Sequence, residues 1–142
     1  MMMDSRGQVS LEYLLILAIS LILLLVFTLP LTELTIQNTM DVSDAMNMKS
    51  DLSKLSHAIK TVYGQGQGSR QSVNIVTMQS VKLNIDNGHA SCNLKLKGGS
   101  SKTVKENYDS YLKKTSIPLG KGSNTIIVEW PVGSYNMRIY KK

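Results

Sequence analysis

One feature governs every reading of this chain: an apolar run from Leu14 to Leu31, interrupted only by Ser20, Thr28 and Pro30, with a carboxylate, Glu12, at its mouth. At ~1.5 Å per residue, a helix from Tyr13 to Thr32 would cover roughly the ~30 Å hydrocarbon core of a bilayer. Arg6 precedes the run and no Lys or Arg follows until Lys49, while Glu33, Asp41 and Asp44 intervene. The distribution of cations therefore puts the first residues in the cytoplasm and the bulk of the chain outside. A cleaved secretory signal would show a small-residue site after the apolar run. Here that region reads Phe27-Thr28-Leu29-Pro30-Leu31, a poor substrate, so the helix is expected to stay on the mature protein. The length allows one such helix and a single small domain, not two substantial cores.

The residues just before the run carry a pattern. Gly7 is followed by Gln8-Val9-Ser10-Leu11-Glu12, which reads Gln-x-Ser-x-Glu, with Ile16 four residues on where such patterns usually carry leucine. A short polar leader, this pattern and the apolar helix behind it resemble the class III signal peptide of euryarchaeal type IV pilins. The match covers about the first quarter of the chain and says little about residues beyond 65. It implies that a prepilin peptidase cuts between Gly7 and Gln8 and that the mature chain joins a helical filament of like subunits. An assembly ATPase, a membrane platform and passage through the membrane as a single-pass precursor are implied with it, as is a surface filament serving adhesion. No cofactor is implied.

Resemblance for the first residues, and residue pattern for the rest, give a domain plan. Residues 1–7 are a leader, 8–32 a transmembrane and filament-core helix, and 33–63 its amphipathic extension. Residues 64–70 form a Gly-rich linker and 71–142 an antiparallel β head, giving an α+β, type IV pilin-like fold.

Glu12 is an expensive residue. An ionisable group at or inside the membrane boundary costs a few kcal/mol and so marks a functional position. After cleavage, the new α-amino group of Gln8 would lie one helical turn away, an i to i+4 relation. In the family, such a glutamate pairs with the mature N-terminus, which would neutralise the carboxylate and lower its burial cost. The residue alone also allows a plainer reading, in which it faces headgroups or a nearby helix N-terminus. Gln8, Ser10 and Glu12 are thus the signal motif, and Glu12 and Pro30 the assembly candidates.

Pro30 removes the bond its amide would give to the carbonyl of Val26. It is expected to kink or locally melt the helix, or to mark where the membrane helix ends. Beyond it, Ala45, Met48, Leu52, Leu55, Ile59 and Val62 repeat at spacings of three and four, a stripe expected to lie against the β domain. A two-helix coiled coil is the other reading. Met46 and Met48 read as core, Asp41 or Ser43 as the cap of a restarted helix, and Gly64 as its end. The stretch from Gly64 to Ser69 reads as a flexible connection.

The periodicity then changes to two. Val73, Ile75 and Thr77 alternate, as do Val81, Leu83 and Ile85, and then Cys92, Leu94 and Leu96. Asp86-Asn87-Gly88 is a hairpin turn and Gly98-Gly99 breaks the next connection. Thr125–Trp130 and Tyr135–Tyr140 form another pair around Pro131-Val132-Gly133-Ser134. Residues 101–119 read as one irregular strand with a loop carrying Tyr108 and Tyr111. The whole is expected to make a single antiparallel β head.

Charge is unevenly spread: residues 1–63 hold four basic and six acidic side chains, residues 64–142 twelve and four. Such a head could draw nucleic acid, acidic cell-wall polymer or anionic lipid, which gives a rival reading as a minor pilin or anchored binding protein. The scattered lysines equally suit a solvated β surface with blunted edges. Cys92 is the single cysteine, expected to act as a small buried hydrophobe. No Asn-x-Ser/Thr sequon occurs.

Catalytic patterns fail one by one. His57 and His89 have no neighbouring ligands at metal spacing. Gly64, Gly66 and Gly68 follow a helix and lack the Gly-Lys-Ser/Thr ending of a phosphate loop. No Gly-x-Ser-x-Gly is present. Trp130, Tyr135 and Tyr140 are either an adhesive patch or the packing of a small β core. The chain is not read as an enzyme.

Overall fold

The computed structural model describes residues 5–110 and 112–142, with side chains from residue 9 onward. The chain is an α+β protein: one long apolar helix, then a small antiparallel β domain. Helix α1 spans Ser5–Gln65. By compactness the chain divides at residue 39, into Met1–Thr39 and Met40–Lys142.

The first unit is helix alone. Its hydroxyls turn back on the helix backbone. Ser20 Oγ donates to the Ile16 carbonyl at 2.8 Å, and the Thr28, Thr32 and Thr35 hydroxyls reach the carbonyls of Leu24, Thr28 and Leu31 at 2.6, 2.7 and 2.9 Å. Helical geometry continues on both sides of Pro30, so the proline does not end the helix. It deletes one donor, and the neighbouring residues keep theirs, which is enough to carry the ladder across. The restarted helix capped by Asp41 or Ser43 is accordingly not seen.

In the second unit the outer part of α1 packs on sheet. The strands are β1 Arg70–Thr77, β2 Val81–Asp86, β3 His89–Lys95, β4 Ser101–Asn107, β5 Thr115–Leu119, β6 Gly122–Glu129 and β7 Arg138–Lys141. They form a three-stranded sheet in the order β1-β6-β7 and a four-stranded sheet in the order β4-β3-β2-β5, antiparallel throughout. β1 leads into β2 and β5 into β6, and each leading strand pairs with the other ribbon. The register runs from Arg70↔Glu129 to Thr77↔Gly122, then resumes at Val81↔Leu119. Two continuous ribbons thus change sheet together at residues 78–80 and 120–121.

Asn124 holds that corner. Its buried amide donates to the carbonyls of Gly120 and Gly122 at 2.7 and 3.0 Å, and its Oδ1 accepts from the Gly120 amide at 3.1 Å and Lys141 Nζ at 2.7 Å. The Thr77 hydroxyl donates to the same Gly120 carbonyl at 2.6 Å. Bends of this kind free backbone groups from the ladder, and a buried carboxamide can satisfy both polarities at once.

The helical stripe behaves as its spacing predicts. Ala45, Met48, Leu52, Leu55, Ile59 and Val62 are all buried, in one core with Ile75, Leu83, Ile85, Cys92, Leu119, Ile126 and Val128. Each large aliphatic there contributes about 1.5–3 kcal/mol by burial. Met46 is different. It is 68% exposed, because it lies off the stripe by a residue's rotation, so it is surface and not core. Three polar ties fasten helix to sheet. Asp51 accepts from the Val76 amide at 2.9 Å, the Ser56 hydroxyl donates to the Asn107 carbonyl at 2.8 Å, and Asp41 accepts from the Lys97 amide at 3.2 Å.

Three further expectations are corrected. The helix passes through Gly64 and ends at Gln65. Gly66, at φ +82°, is the left-handed cap, its amide bonding the Val62 carbonyl at 3.1 Å. The Gly-rich connection is pinned: Gly68 N donates to Trp130 O at 2.7 Å, Trp130 N to Ser69 O at 2.9 Å, and the Gln67 amide bridges Gly133 N and Ser134 O at 3.1 and 3.0 Å. Residues 101–119 hold two strands, β4 and β5, which sit on opposite edges of the four-stranded sheet. A segment whose alternation is broken by polar residues reads as irregular, yet an edge strand can form with few buried side chains, and β4 buries Val104 alone. Tyr111 lies outside the described residues.

Candidate functional site

The amino-terminal helix is the candidate site. From Val9 to Gln65 it contains a stretch of mean hydropathy 3.0, long and apolar enough to cross a membrane, and none of that stretch is buried within the chain. Leu14, Leu17, Ile22, Leu24, Phe27 and Leu31 are each exposed, and they fall on all sides of the helix. A helix apolar all round calls for cover, by lipid or by other helices. The hydroxyls in this stretch already have backbone partners, so they cost little in an apolar setting.

Glu12 differs from everything around it. It is the single residue between Val9 and Thr32 that carries a charge at neutral pH. It is exposed, one turn beyond Gln8 on the same helix. Every ion pair among the described residues falls from Asp51 onward, and Glu12 is in none. Ser10 is exposed one turn before Leu14. Gly7 and Gln8 fall within α1, but their surroundings lie outside the described residues, as do residues 1–4 of the leader altogether. The structure thus puts Gln8, Ser10 and Glu12 on one continuous helix, with Pro30 farther along it.

The head offers little that looks like catalysis. Among the described residues no group of three or more His, Cys, Asp or Glu could hold a metal. His57 faces solvent from the helix, and His89 lies 4.0 Å from Asp86 beside the β2–β3 turn. Burial pushes the Cys92 thiol up to about 12, which leaves it protonated and unreactive at neutral pH. Tyr108 is likewise pushed up to about 12, by burial first and by the Asp86 carboxylate second. Its hydroxyl donates to the Asp86 carbonyl and its amide to the Gly88 carbonyl at 2.9 Å, so it clamps the hairpin turn.

The aromatic residues make separate contacts. Trp130 stacks on Tyr63 of the helix, with ring centroids 5.8 Å apart and planes within 10°, and Tyr140 donates to Glu129 at 3.1 Å. Tyr135 stands 96% exposed. Tyr63 was not singled out from the sequence. Its place one residue past Val62, at the edge of the buried stripe, was the available signal. Asp51, Gln67 and Asn124 were missed too, since single polar residues within apolar patterns carry no mark of the backbone groups they serve.

The chain thus combines an exposed apolar helix of membrane length, bearing one carboxylate ahead of Thr32, with a compact β domain. Residues 5–31 match the family model described as Class III signal peptide, which spans Gly7, the Gln8-x-Ser10-x-Glu12 pattern and the apolar run. The chain therefore carries the amino-terminal segment of a type IV pilin-like prepilin, which points to a structural protein and not to an enzyme. That segment fits a membrane-anchored precursor and a surface filament. Neither the curated proteins nor the solved structures return a match.

Proposed function

We propose that this chain is the prepilin of an archaeal type IV pilus-like surface filament serving adhesion. The peptidase cuts between Gly7 and Gln8, removing residues 1–7 on the cytoplasmic side of the membrane. The mature subunit leaves the bilayer through an ATPase-driven platform and enters a helical homopolymer, with the β head outward. The observation that carries this reading is the class III signal peptide directly in front of an apolar helix that nothing in the chain covers.

The energetics follow from that arrangement. In lipid the apolar surface of residues 13–32 is already solvated by hydrocarbon, so helix burial itself supplies no driving force. Packing and polar pairing must supply it. Glu12 fits such a role: a carboxylate in an apolar bundle is costly alone, and a cationic α-amine at Gln8 on its own or a neighbouring subunit would offset the cost. Pro30 leaves the Val26 carbonyl without its helical donor, a point at which the helix can yield as subunits pack.

Two measurements test the reading. Intact mass with N-terminal sequencing of protein sheared from cells is expected to give a terminus at Gln8; an intact leader in the membrane fraction would instead make the chain a plain anchor. Glu12→Ala is expected to be processed and retained in the membrane while filaments fall to a small fraction of wild type by electron microscopy. Normal filaments in that variant would remove Glu12 from the assembly mechanism.

A further inference from the structure

The outward face of the four-stranded sheet has an unusual chemistry. Its buried face carries Leu83, Ile85, Cys92, Leu94, Val104 and Ile117. On the opposite face the register sets Lys105 beside Ser91 and Asn84, and Thr103 beside Asn93 and Lys82. Lys95 follows on the same face of β3. The one carboxylate there, Asp86, sits at the β2–β3 turn, 3.5 Å from Lys114. Lys82, Lys95 and Lys105 make no ion pair among the described residues. With strands ~4.8 Å apart and a two-residue offset along them, Lys105 and Lys82 stand about 12 Å from each other, and the diagonal pair Lys82 and Lys95 about 7–8 Å.

The asparagines on this face are oriented. The Thr103 hydroxyl donates to Asn93 Oδ1 at 2.6 Å, and the Ser116 hydroxyl donates to Asn84 Oδ1 at 2.9 Å. Each amide oxygen is thereby engaged, and each amide NH2 remains to donate outward. Lysines add donors and no acceptors. Between them lies a shallow depression of about 400 Å³, lined by Lys82, Asn84, Asn93, Lys95 and Pro118.

We infer that this face binds an acidic polysaccharide, through its three unpaired lysines and the outward amides of Asn84 and Asn93. Ammonium groups take the carboxylates or sulfates, and the amides donate to ring and hydroxyl oxygens. Charge complementarity selects an anion. Neutral amide donors set among the lysines match a polymer that carries hydroxyl and ring oxygens between its acid groups, which favours an acidic glycan. The inference concerns the head's surface and holds whether or not the chain polymerises.

The test uses the detergent-solubilised full-length chain and immobilised polygalacturonate, with single-stranded DNA of matched charge as competitor. Replacing Lys82, Lys95 and Lys105 together by Gln is expected to weaken binding about tenfold or more and to lower the salt slope by about three. The same net change at Lys113, Lys121 and Lys142 is expected to cost about twofold or less. Asn93→Asp keeps the acceptor for Thr103 while turning an outward donor into an acceptor, and is expected to weaken binding on its own, a readout that stands even if the triple variant melts early. Equal losses in the two triples would reduce the effect to net charge and overturn the site. Preferred binding of DNA, or no binding of polygalacturonate by wild type at low salt, would overturn the partner.

Discussion

The two parts of helix α1 obey opposite rules. Between Val9 and Thr39 the large apolar side chains are exposed on every side, whereas between Met40 and Gln65 Met48, Leu52, Leu55, Ile59 and Val62 are buried and the face opposite is polar. One continuous helix therefore has two sources of stability. The outer part is held by the β domain it helps to build. The described apolar side chains of the inner part are not buried, so lipid or like helices must cover them. Its apolar surface is an interface waiting for a second party, and Glu12 gives that interface a polar point of reference.

The sharpest way to break this comparison is to make the same substitution in both parts. Leu55→Ala removes a fully buried side chain at the helix–sheet contact and is expected to destabilise the head by about 2–5 kcal/mol. Leu23→Ala removes an exposed one and is expected to leave head stability within about 0.5 kcal/mol. Thermal unfolding of both variants in the same neutral detergent, followed by near-UV circular dichroism through Trp130, measures the difference. Equal losses would mean that the inner part is packed on the head, contrary to the distinction drawn here.

The corner of the two sheets comes next in size. Asn124→Ala would strand the Gly120 amide and the Gly122 carbonyl, and would leave the Gly120 carbonyl to the Thr77 hydroxyl alone. Unpartnered buried groups cost about 1–3 kcal/mol each, reduced where water enters, so a total loss of about 2–3 kcal/mol is expected by denaturant unfolding. Asn124→Asp, which retains an acceptor for Lys141 and the Gly120 amide, is expected to lose less. If alanine proves harmless, the bend is held by the ribbons themselves.

How much of this was legible depended on whether a pattern or a pairing was at stake. Glu12 ahead of an apolar run, and the three-four spacing from Ala45 to Val62, are local periodicities, and both describe the helix as it stands. Alternation likewise announced β1, β2 and β3, while β6 and β7 were read as a pair around the turn at 131–134. What stayed hidden were features set by long-range partners. β4 buries Val104 alone, so its alternation was faint, and β5 carries Pro118 between Ile117 and Leu119, a residue that reads as a break in a strand. Met46 resembles core by composition, and only its angle on the helix puts it outside. The stretch from Gly64 to Ser69 looked loose because glycine is permissive; its order comes from Gln67 reaching the 133–134 backbone, a pairing across more than sixty residues. The proposed processing and assembly residues, Gly7, Gln8, Glu12 and Pro30, rest on resemblance and on the cost of a carboxylate beside a membrane-length helix, not on any geometry of the head.

The smallest expected effects separate two glycines that look alike in sequence. Gly64 lies inside the helix with open space where a Cβ would stand, while Gly66 terminates it at φ +82°. Gly64→Ala removes backbone freedom from the unfolded chain and is expected to stabilise by about 0.5–1 kcal/mol. Gly66→Ala forces an L-residue into the left-handed region and is expected to destabilise by about 1–2 kcal/mol. The signs are opposite two residues apart, so even modest calorimetric precision resolves them. Were both substitutions stabilising, the helix would have to run on past Gln65, and the hydrogen bonds from Gly68 to Trp130 and from Gln67 to residues 133 and 134 would have to break. Were both destabilising, the helix would end at Gly64 after all, one residue short of Gln65.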